Sequence, residues 1–170
     1  MSPRLIIADE PVSMVDASLR ATIIETLRDL NRRLGISIIY VSHDLTTAYQ
    51  LSENIVVLYR GGVAEAGDIE QVVKKPEHPY TRLLLGAVPL PDPKRPWGQV
   101  ESVGEGAETA PAMTTGCRFA DRCTYRMPVC DEARPPLFQT APHRVTACYL
   151  YRESSVTTST RLEQNFVERS

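Results

Sequence analysis

Acidic and imidazole side chains follow two apolar runs near the start of the chain. Asp9 and Glu10 come directly after the run at residues 5–8, and His43 comes shortly after the run at residues 36–41. Carboxylates and imidazoles commonly act as general bases, and a well-placed base accelerates a reaction by roughly 10²- to 10⁴-fold. Adjacent residues at a strand end point in opposite directions, so the two acids can do different jobs. The pattern predicts a ligand site that uses these groups.

The elements that must position these side chains form a strand–helix–strand unit. Each apolar run is typical of a parallel strand that is covered on both faces. Between the runs, apolar residues recur with helical spacing from Leu19 to Leu34. Asp16 or Ser18 can cap the start of this helix, and Gly35 follows its end.

The topology of this unit brings its two strand ends together. A crossover between parallel strands is almost always right-handed, so the carboxyl ends of both strands lie on one edge of the sheet. Open α/β sheets bind their ligands at that edge. We therefore expect Glu10 and His43 to face a common site although 33 positions separate them in the sequence.

Shorter elements are predicted after this unit. Residues 44–52 are expected to form a short helix. Residues 55–59 are expected to form a strand that turns at Gly61 and Gly62 into a partner at residues 63–65. Helices are expected at residues 68–74 and 81–88, the second with Pro79 near its start.

The composition changes after residue 75. Of the 13 prolines, eleven lie between Pro76 and Pro142. Residues 101–112 have little to bury and are expected to form a mobile linker, and the polar residues from 154 to 170 are expected to fray. The formal net charge is -2, which does not favour nucleic-acid binding, and the longest apolar runs are too short to span a membrane.

Motifs in the first half resemble one large family. Asp9-Glu10-Pro11, followed by Ser13-Met14-Val15-Asp16 and then by Ser42-His43-Asp44, resembles the Walker B motif, D-loop and switch histidine of ATP-binding-cassette (ABC) ATPases. His78-Pro79-Tyr80-Thr81-Arg82 and a cysteine-bearing extension resemble the oligopeptide/dipeptide importer subfamily. The resemblance spans residues 2 to about 150 of the sequence.

The resemblance implies a role for each matching residue. Asp9 would bind the Mg²⁺ of Mg-ATP, Glu10 would polarise the attacking water, and His43 would contact the γ-phosphate. Ser13 and Asp16 would belong to the loop that crosses between two nucleotide-binding domains. An isolated acidic turn or helix cap would be the ordinary explanation for any one of these motifs, but their joint order and spacing favour the ATPase.

Other family motifs do not occur in this sequence. No G-x-x-x-x-G-K-[ST] phosphate loop occurs: Gly62 and Gly67 have the glycine spacing, but Asp68 and Ile69 follow. A glutamine loop and an LSGGQ-like signature do not occur either. The resemblance therefore implies the C-terminal half of an ATPase subunit, and we expect the chain alone to be inactive, with exposed sheet and helix surfaces.

Four cysteines lie in the second half, with the spacing C-x₅-C-x₆-C-x₁₇-C: Cys117, Cys123, Cys130 and Cys148. Four clustered thiols in a cytosolic protein indicate a metal site before a disulfide. Zinc, an iron-sulfur cluster and free thiols all remain possible from the residues, although zinc ribbons generally have tighter spacings. The resemblance to the cluster-binding extension of peptide-importer ATPases favours [4Fe-4S], with Zn²⁺ as the alternative.

The predicted fold class is α/β: the C-terminal half of a P-loop ATPase parallel sheet with helices, plus a small irregular Cys-rich metal-binding extension. The predicted divisions are part of a nucleotide-binding domain at residues 1–75, a helix and linker at 76–112, the Cys-rich extension at 113–152 and a polar tail at 153–170.

The resemblance implies an ATPase subunit that powers import of peptides or related solutes from the cytoplasmic face of the membrane. Its partners would be a second ATPase subunit, transmembrane permeases and, indirectly, a solute-binding protein, without nucleic acid. The alternatives are a non-catalytic iron-sulfur or zinc regulatory module and an ABC ATPase of the DNA-repair type.

Overall fold

The computed structural model describes residues 3–87, 115–157 and 159–167. These residues fall into two compact units, Met1–Ser52 and Glu53–Ser170. The predicted linker at residues 101–112 lies outside the described residues. Within the described residues, no helix combines the length and the apolar character of a membrane span.

The first unit is the predicted strand–helix–strand arrangement. Strands β1 (Leu5–Asp9) and β2 (Ser37–Val41) pair in parallel, and helix α1 (Ala17–Leu34) connects them. The short helix α2 (Leu45–Leu51) follows β2. The parallel pairing that the sequence predicts is therefore confirmed.

Both ends of α1 confirm the local sequence signals. The Asp16 carboxylate accepts hydrogen bonds from the N–H groups of Ser18 and Leu19, at 3.0 and 2.9 Å. Gly35 ends the helix with φ 64°, the left-handed conformation that glycine adopts without steric cost. The Gly35 N–H donates to the Asn31 carbonyl. At both ends of the helix, backbone groups that lack a partner within the helix are therefore hydrogen-bonded.

Two expectations for this sheet differ: the expected exposed sheet surface is observed, and the expected covering of both faces is not. The sequence predicts a strand covered on both faces, yet alternate residues of one face are exposed: Leu5 by 48%, Ile7 by 67%, Ile39 by 50% and Val41 by 46%. Within the described part of this unit, only the opposite face is shielded, as the burial of Ala8 indicates. An apolar parallel sheet therefore has one uncovered side.

The second unit is built around an antiparallel sheet of five strands, in the order β3-β4-β6-β5-β7. The strands are β3 (Asn54–Tyr59), β4 (Gly62–Asp68), β5 (Leu137–Ala141), β6 (Arg144–Thr146) and β7 (Ser155–Thr157). The β3–β4 hairpin confirms the turn predicted at Gly61 and Gly62. The predicted irregular extension instead contributes two strands, β5 and β6, to the same sheet, because β6 pairs with β4.

Helices and turns complete the second unit. The helices are α3 (Ile69–Lys74), α4 (Pro79–Gly86) and α5 (Val129–Glu132), and 3₁₀ turns span Ala120–Arg122, Tyr149–Tyr151 and Ser159–Asn165. The tail expected to fray contains β7 and the last of these turns. Asn54 also exchanges two hydrogen bonds with the backbone of Val167, at 2.9 and 2.8 Å, which ties the tail to β3.

A buried ion pair joins β4 to β6. Glu65 is 0% exposed and Arg144 3%, and the guanidinium binds the Glu65 carboxylate through two nitrogens. The other Glu65 oxygen accepts from the His78 N–H at 2.9 Å, and the Glu77 N–H lies 3.2 Å from both oxygens. A buried charge is stable only when it is paired and hydrogen-bonded, so these contacts fix the strand register and the chain before α4.

Candidate functional site

The carboxyl ends of β1 and β2 bring the predicted acid and imidazole together. Glu10 Oε1 lies 2.7 Å from His43 Nδ1. An ionised carboxylate can only accept a hydrogen bond, so Nδ1 carries the proton and Nε2 faces away from this contact. Both side chains are accessible, with 43% of Glu10 and 76% of His43 exposed.

The electrostatics of the pair favour a charged imidazole. The hydrogen bond that His43 donates to Glu10, and then the negative charge of Glu10, raise the pKa of His43 above the ordinary 6.5. A charged imidazolium beside a carboxylate suits a site that receives a negatively charged group. The pair can therefore hold an anion and a water molecule close to each other.

The backbone at Glu10 has an uncommon conformation. Its φ is +43°, in the left-handed region that residues other than glycine seldom occupy. The Glu10 N–H still continues the parallel ladder by donating to the Val41 carbonyl at 2.9 Å. The Glu10 carbonyl accepts from the N–H and the hydroxyl of Ser13, at 3.2 and 3.0 Å. These three contacts hold the strained residue, a situation typical of functional sites.

The other predicted nucleotide-site residues lie on the same segment. Asp9 ends β1 and is exposed, so its carboxylate can reach a hard cation such as Mg²⁺, which prefers oxygen ligands. Ser13 binds the Glu10 backbone, and Asp16 caps α1. Hydrogen bonds from Ser18 and Leu19 lower the pKa of Asp16. Asp9, Glu10, Ser13 and Asp16 thus follow one another along the turn between β1 and α1.

Asp44 positions the segment that carries His43. Its carboxylate accepts from the N–H of Thr46 at 2.9 Å and from the hydroxyl of Thr47 at 2.5 Å, which caps α2. Those contacts lower its pKa, with the hydrogen bond from Thr47 as the largest cause. The Asp44 N–H donates to the Ser42 hydroxyl at 3.0 Å. The ordinary explanation for Asp44, a helix cap, is confirmed.

The four cysteines occur on separate turns of the second unit. Cys117 and Cys123 flank the 3₁₀ turn at Ala120–Arg122, Cys130 lies in α5, and Cys148 precedes the turn at Tyr149–Tyr151. All four are free thiols, and Cys130 is buried while the others are partly buried. In the described ranges, no three His, Cys, Asp or Glu side chains are arranged to hold a metal ion.

The thiols nevertheless lie close enough to influence one another. Burial is the largest cause that raises the pKa of Cys117, Cys123 and Cys148, the last to about 11. The other three thiols raise the pKa of Cys148 further. A hydrogen bond from the N–H two residues later acts in the opposite direction at each of these three cysteines. Thiolates are ligands that thiophilic metals prefer, but the side chains in the described ranges are not arranged as a metal site.

The contacts around Glu65 were not predicted from the sequence. The sequence did contain one signal for a buried ion pair: a glutamate lies between Ala64 and Ala66, within a strand of small residues. A charge at such a position is buried only with a partner. Arg144 lies 79 positions away, so the sequence alone did not identify that partner.

Comparisons with known proteins agree with the resemblance. Residues 64–130 match the family described as the oligopeptide/dipeptide transporter, C-terminal region. The oligopeptide transport ATP-binding protein OppF of Escherichia coli is 38% identical over 147 residues, which cover 86% of this chain and 44% of the relative. OppF of Salmonella typhimurium is 37% identical over 147 residues, with the same coverage.

A Bacillus relative extends the match. YkfD of Bacillus subtilis, whose name also places it among oligopeptide transport ATP-binding proteins, is 35% identical over 155 residues. That match covers 91% of this chain and 47% of YkfD. The chain spans about half the length of the curated relatives it matches.

Proposed function

The chain is related to the ATP-binding proteins of oligopeptide and dipeptide transporters, and from this premise we propose that it forms part of an ABC ATPase subunit that powers peptide import. The observation that carries the proposal is the 2.7 Å contact between Glu10 and His43 at the carboxyl ends of two parallel strands. ATP is the proposed substrate, and hydrolysis of its terminal phosphate is the proposed reaction.

Glu10 and His43 have the chemistry that this reaction needs. Phosphoryl transfer depends mainly on positioning and on neutralising charge. Glu10 would accept hydrogen bonds from the attacking water and orient it. His43, held by Glu10 through Nδ1, would present Nε2 to the terminal phosphate. The raised pKa of His43 supports this role because an imidazolium stabilises an anion.

Asp9 would hold the magnesium ion of the substrate. A bound Mg²⁺ neutralises phosphate charge and orients the phosphate oxygens. Asp9 supports this assignment because its exposed carboxylate follows the same strand as Glu10. Nucleotide binding would also use a phosphate loop, a glutamine loop and a signature motif, none of which occurs in these 170 residues. The isolated chain is therefore proposed to be inactive.

The proposed partners follow from the relatives. The turn with Ser13 and Asp16 would face a second ATPase subunit, and transmembrane permeases would bind the pair at the cytoplasmic face of the membrane. A solute-binding protein would act indirectly by delivering the peptide. The names of the relatives support peptides as the solute class.

The experiment joins this chain to the part of the Escherichia coli relative that it does not cover. ATP hydrolysis and nucleotide binding are measured with Glu10→Gln, His43→Ala and the matched control Glu25→Gln, which changes an exposed glutamate of α1. Glu10→Gln should reduce turnover by roughly 10²- to 10⁴-fold while nucleotide affinity is retained. His43→Ala should also reduce turnover, and the control should hydrolyse ATP normally. Equal turnover in Glu10→Gln and the control would contradict the proposal.

A second proposal concerns the four cysteines, which we assign to a metal site, with a [4Fe-4S] cluster favoured over Zn²⁺. The mutual influence of the four thiols and the N–H groups that bind three of them support this assignment. Such hydrogen bonds stabilise thiolates that bind metal. A metal would have to draw the four sulfurs closer than they lie in the described structure.

Metal analysis after anaerobic purification separates these possibilities. A brown protein with about four irons and four sulfides per chain would support the cluster. One zinc ion per chain would support the alternative. A folded, metal-free protein after purification from cells supplied with both metals would contradict the assignment.

A further inference from the structure

His78 is a buried imidazole that neither the proposed hydrolysis nor the proposed metal site uses. It is 4% exposed. Nδ1 accepts a hydrogen bond from the Tyr80 N–H at 3.0 Å, which caps α4. A hydrogen bond with the Ala147 backbone raises the pKa of His78, which identifies the Ala147 carbonyl as the acceptor, and since Nδ1 accepts from Tyr80 we infer that the donor is the Nε2–H.

The second of these contacts reaches a cysteine-bearing segment. Ala147 directly precedes Cys148, and its own N–H donates to the Ala64 carbonyl of β4 at 2.8 Å. Ala147 is thus bound on both sides, to β4 through its N–H and to His78 through its carbonyl. These bonds fix the backbone immediately before Cys148.

The face of the same ring reaches another cysteine-bearing segment. Phe119 lies two residues after Cys117 and is 3% exposed. Its ring centroid is 5.9 Å from that of His78. Tyr59 and Tyr80 also pack against Phe119, with centroids at 5.2 and 5.7 Å. One imidazole therefore contacts Ala147, next to Cys148, and Phe119, two residues after Cys117, although the two cysteines are far apart in the sequence.

We propose that His78 is a positioning residue that holds the segments carrying Cys117 and Cys148 beside each other. This inference deepens the proposed metal site. The positioning by His78 does not depend on a bound metal; only its purpose, to bring metal ligands together, rests on the proposed function. The Nε2–H bond sets the position of Cys148, and the ring face sets the position of Cys117 through Phe119. Cys130 is placed independently of His78, because the Cys117 N–H donates directly to the Cys130 carbonyl at 2.7 Å.

The test uses the metal-free, reduced chain and dibromobimane, a short reagent that bridges two neighbouring thiols. Bridged pairs are identified by peptide mapping in the wild type, His78→Asn and the control Asn54→Ala. Asparagine preserves a helix cap for Tyr80 but removes the bond to Ala147 and the ring packing. Asn54→Ala removes two hydrogen bonds of the same unit that involve no cysteine-bearing segment.

His78→Asn should lower the fraction of Cys117–Cys148 bridges by roughly fivefold or more, as expected for loss of one buried hydrogen bond. Cys117–Cys130 bridges should stay within about twofold of the wild type, and both should be unchanged in Asn54→Ala. The proposal would be overturned if His78→Asn left the fraction of Cys117–Cys148 bridges unchanged or lowered the fractions of all bridged pairs equally. It would also be overturned if Asn54→Ala lowered the Cys117–Cys148 fraction as much as His78→Asn does.

A second measurement applies if His78→Asn does not fold. In the wild type, the Nε2 proton of His78 should exchange slowly with water and show coupling to the Ala147 carbonyl by NMR. A freely exchanging proton would overturn the inference. The metal proposal can fail while this one holds: the wild-type chain would then contain no iron or zinc, and its bridging pattern would still depend on His78.

Discussion

Acidification should destabilise the second unit through His78. Burial lowers the pKa of this imidazole from 6.5 to about 4, and the bond to Ala147 only partly offsets it. Between these values the unfolded chain binds a proton that the folded chain does not, so the free energy of unfolding rises with pH. The stabilisation is complete above the unfolded pKa and is lost as the pH falls towards the folded pKa.

The size of the effect follows from the two pKa values. Their difference corresponds to about 3 kcal/mol in full, because one pKa unit corresponds to about 1.4 kcal/mol. About 2 kcal/mol should be lost between roughly pH 7.5 and pH 5, where the exposed histidine of the unfolded chain becomes protonated. This is a large share of the stability of a small domain.

Urea unfolding over this pH range measures the effect, with the circular dichroism of the tyrosine rings as the signal. The wild type should lose about 2 kcal/mol more than His78→Asn, which has no titrating group at this position. His43→Gln is the matched histidine control: it retains His78, and the His43 imidazole that it removes is exposed and has a raised pKa, so this variant should lose at least as much stability on acidification as the wild type. Equal pH dependence in the wild type and His78→Asn would refute the reasoning.

Three further changes test the packing of the second unit. Glu65→Ala removes the closer carboxylate partner of the buried Arg144 guanidinium, while Glu77 remains at 3.4 Å, and should cost about 2–3 kcal/mol in urea unfolding; a loss under about 1 kcal/mol would contradict the buried pair. Gly116→Ala places a Cβ against the Cys130 carbonyl oxygen, closer than van der Waals contact, and should cost about 1–3 kcal/mol and reduce bridging to Cys117. Unchanged bridging would contradict this contact. Asn54→Ala removes the two hydrogen bonds to Val167 and should cost about 1–2 kcal/mol and speed amide exchange in the tail. Unchanged exchange would contradict the role of these two bonds in holding the tail.

Local signals explain why the first unit could be predicted. The Asp16 cap, the helical repeat and Gly35 specify α1 through neighbouring residues, and a strand–helix–strand unit has essentially one handedness. The meeting of Glu10 and His43 therefore followed from topology. The left-handed backbone at Glu10 could not be predicted, because the ladder bond to Val41 and the bonds from the following turn impose it together.

The second unit depends on contacts between distant segments. Strand β6 has only three residues and pairs with β4 about 80 positions earlier, so no local pattern specifies the pairing. The partner of Glu65, Arg144, likewise comes from the folded arrangement. The proline-rich composition favoured an irregular extension, whereas short β-branched segments such as that around Val145 complete the sheet.

The most direct measurement of the central site is the NMR titration of the His43 imidazole in the wild type, Glu10→Gln and Glu25→Gln. His43 should titrate above the ordinary 6.5 in the wild type and in the Glu25 variant, because the Glu10 carboxylate raises its pKa. Replacing Glu10 by the neutral amide should lower that pKa towards the ordinary value. The same His43 titration in all three proteins would contradict the pairing of these two side chains.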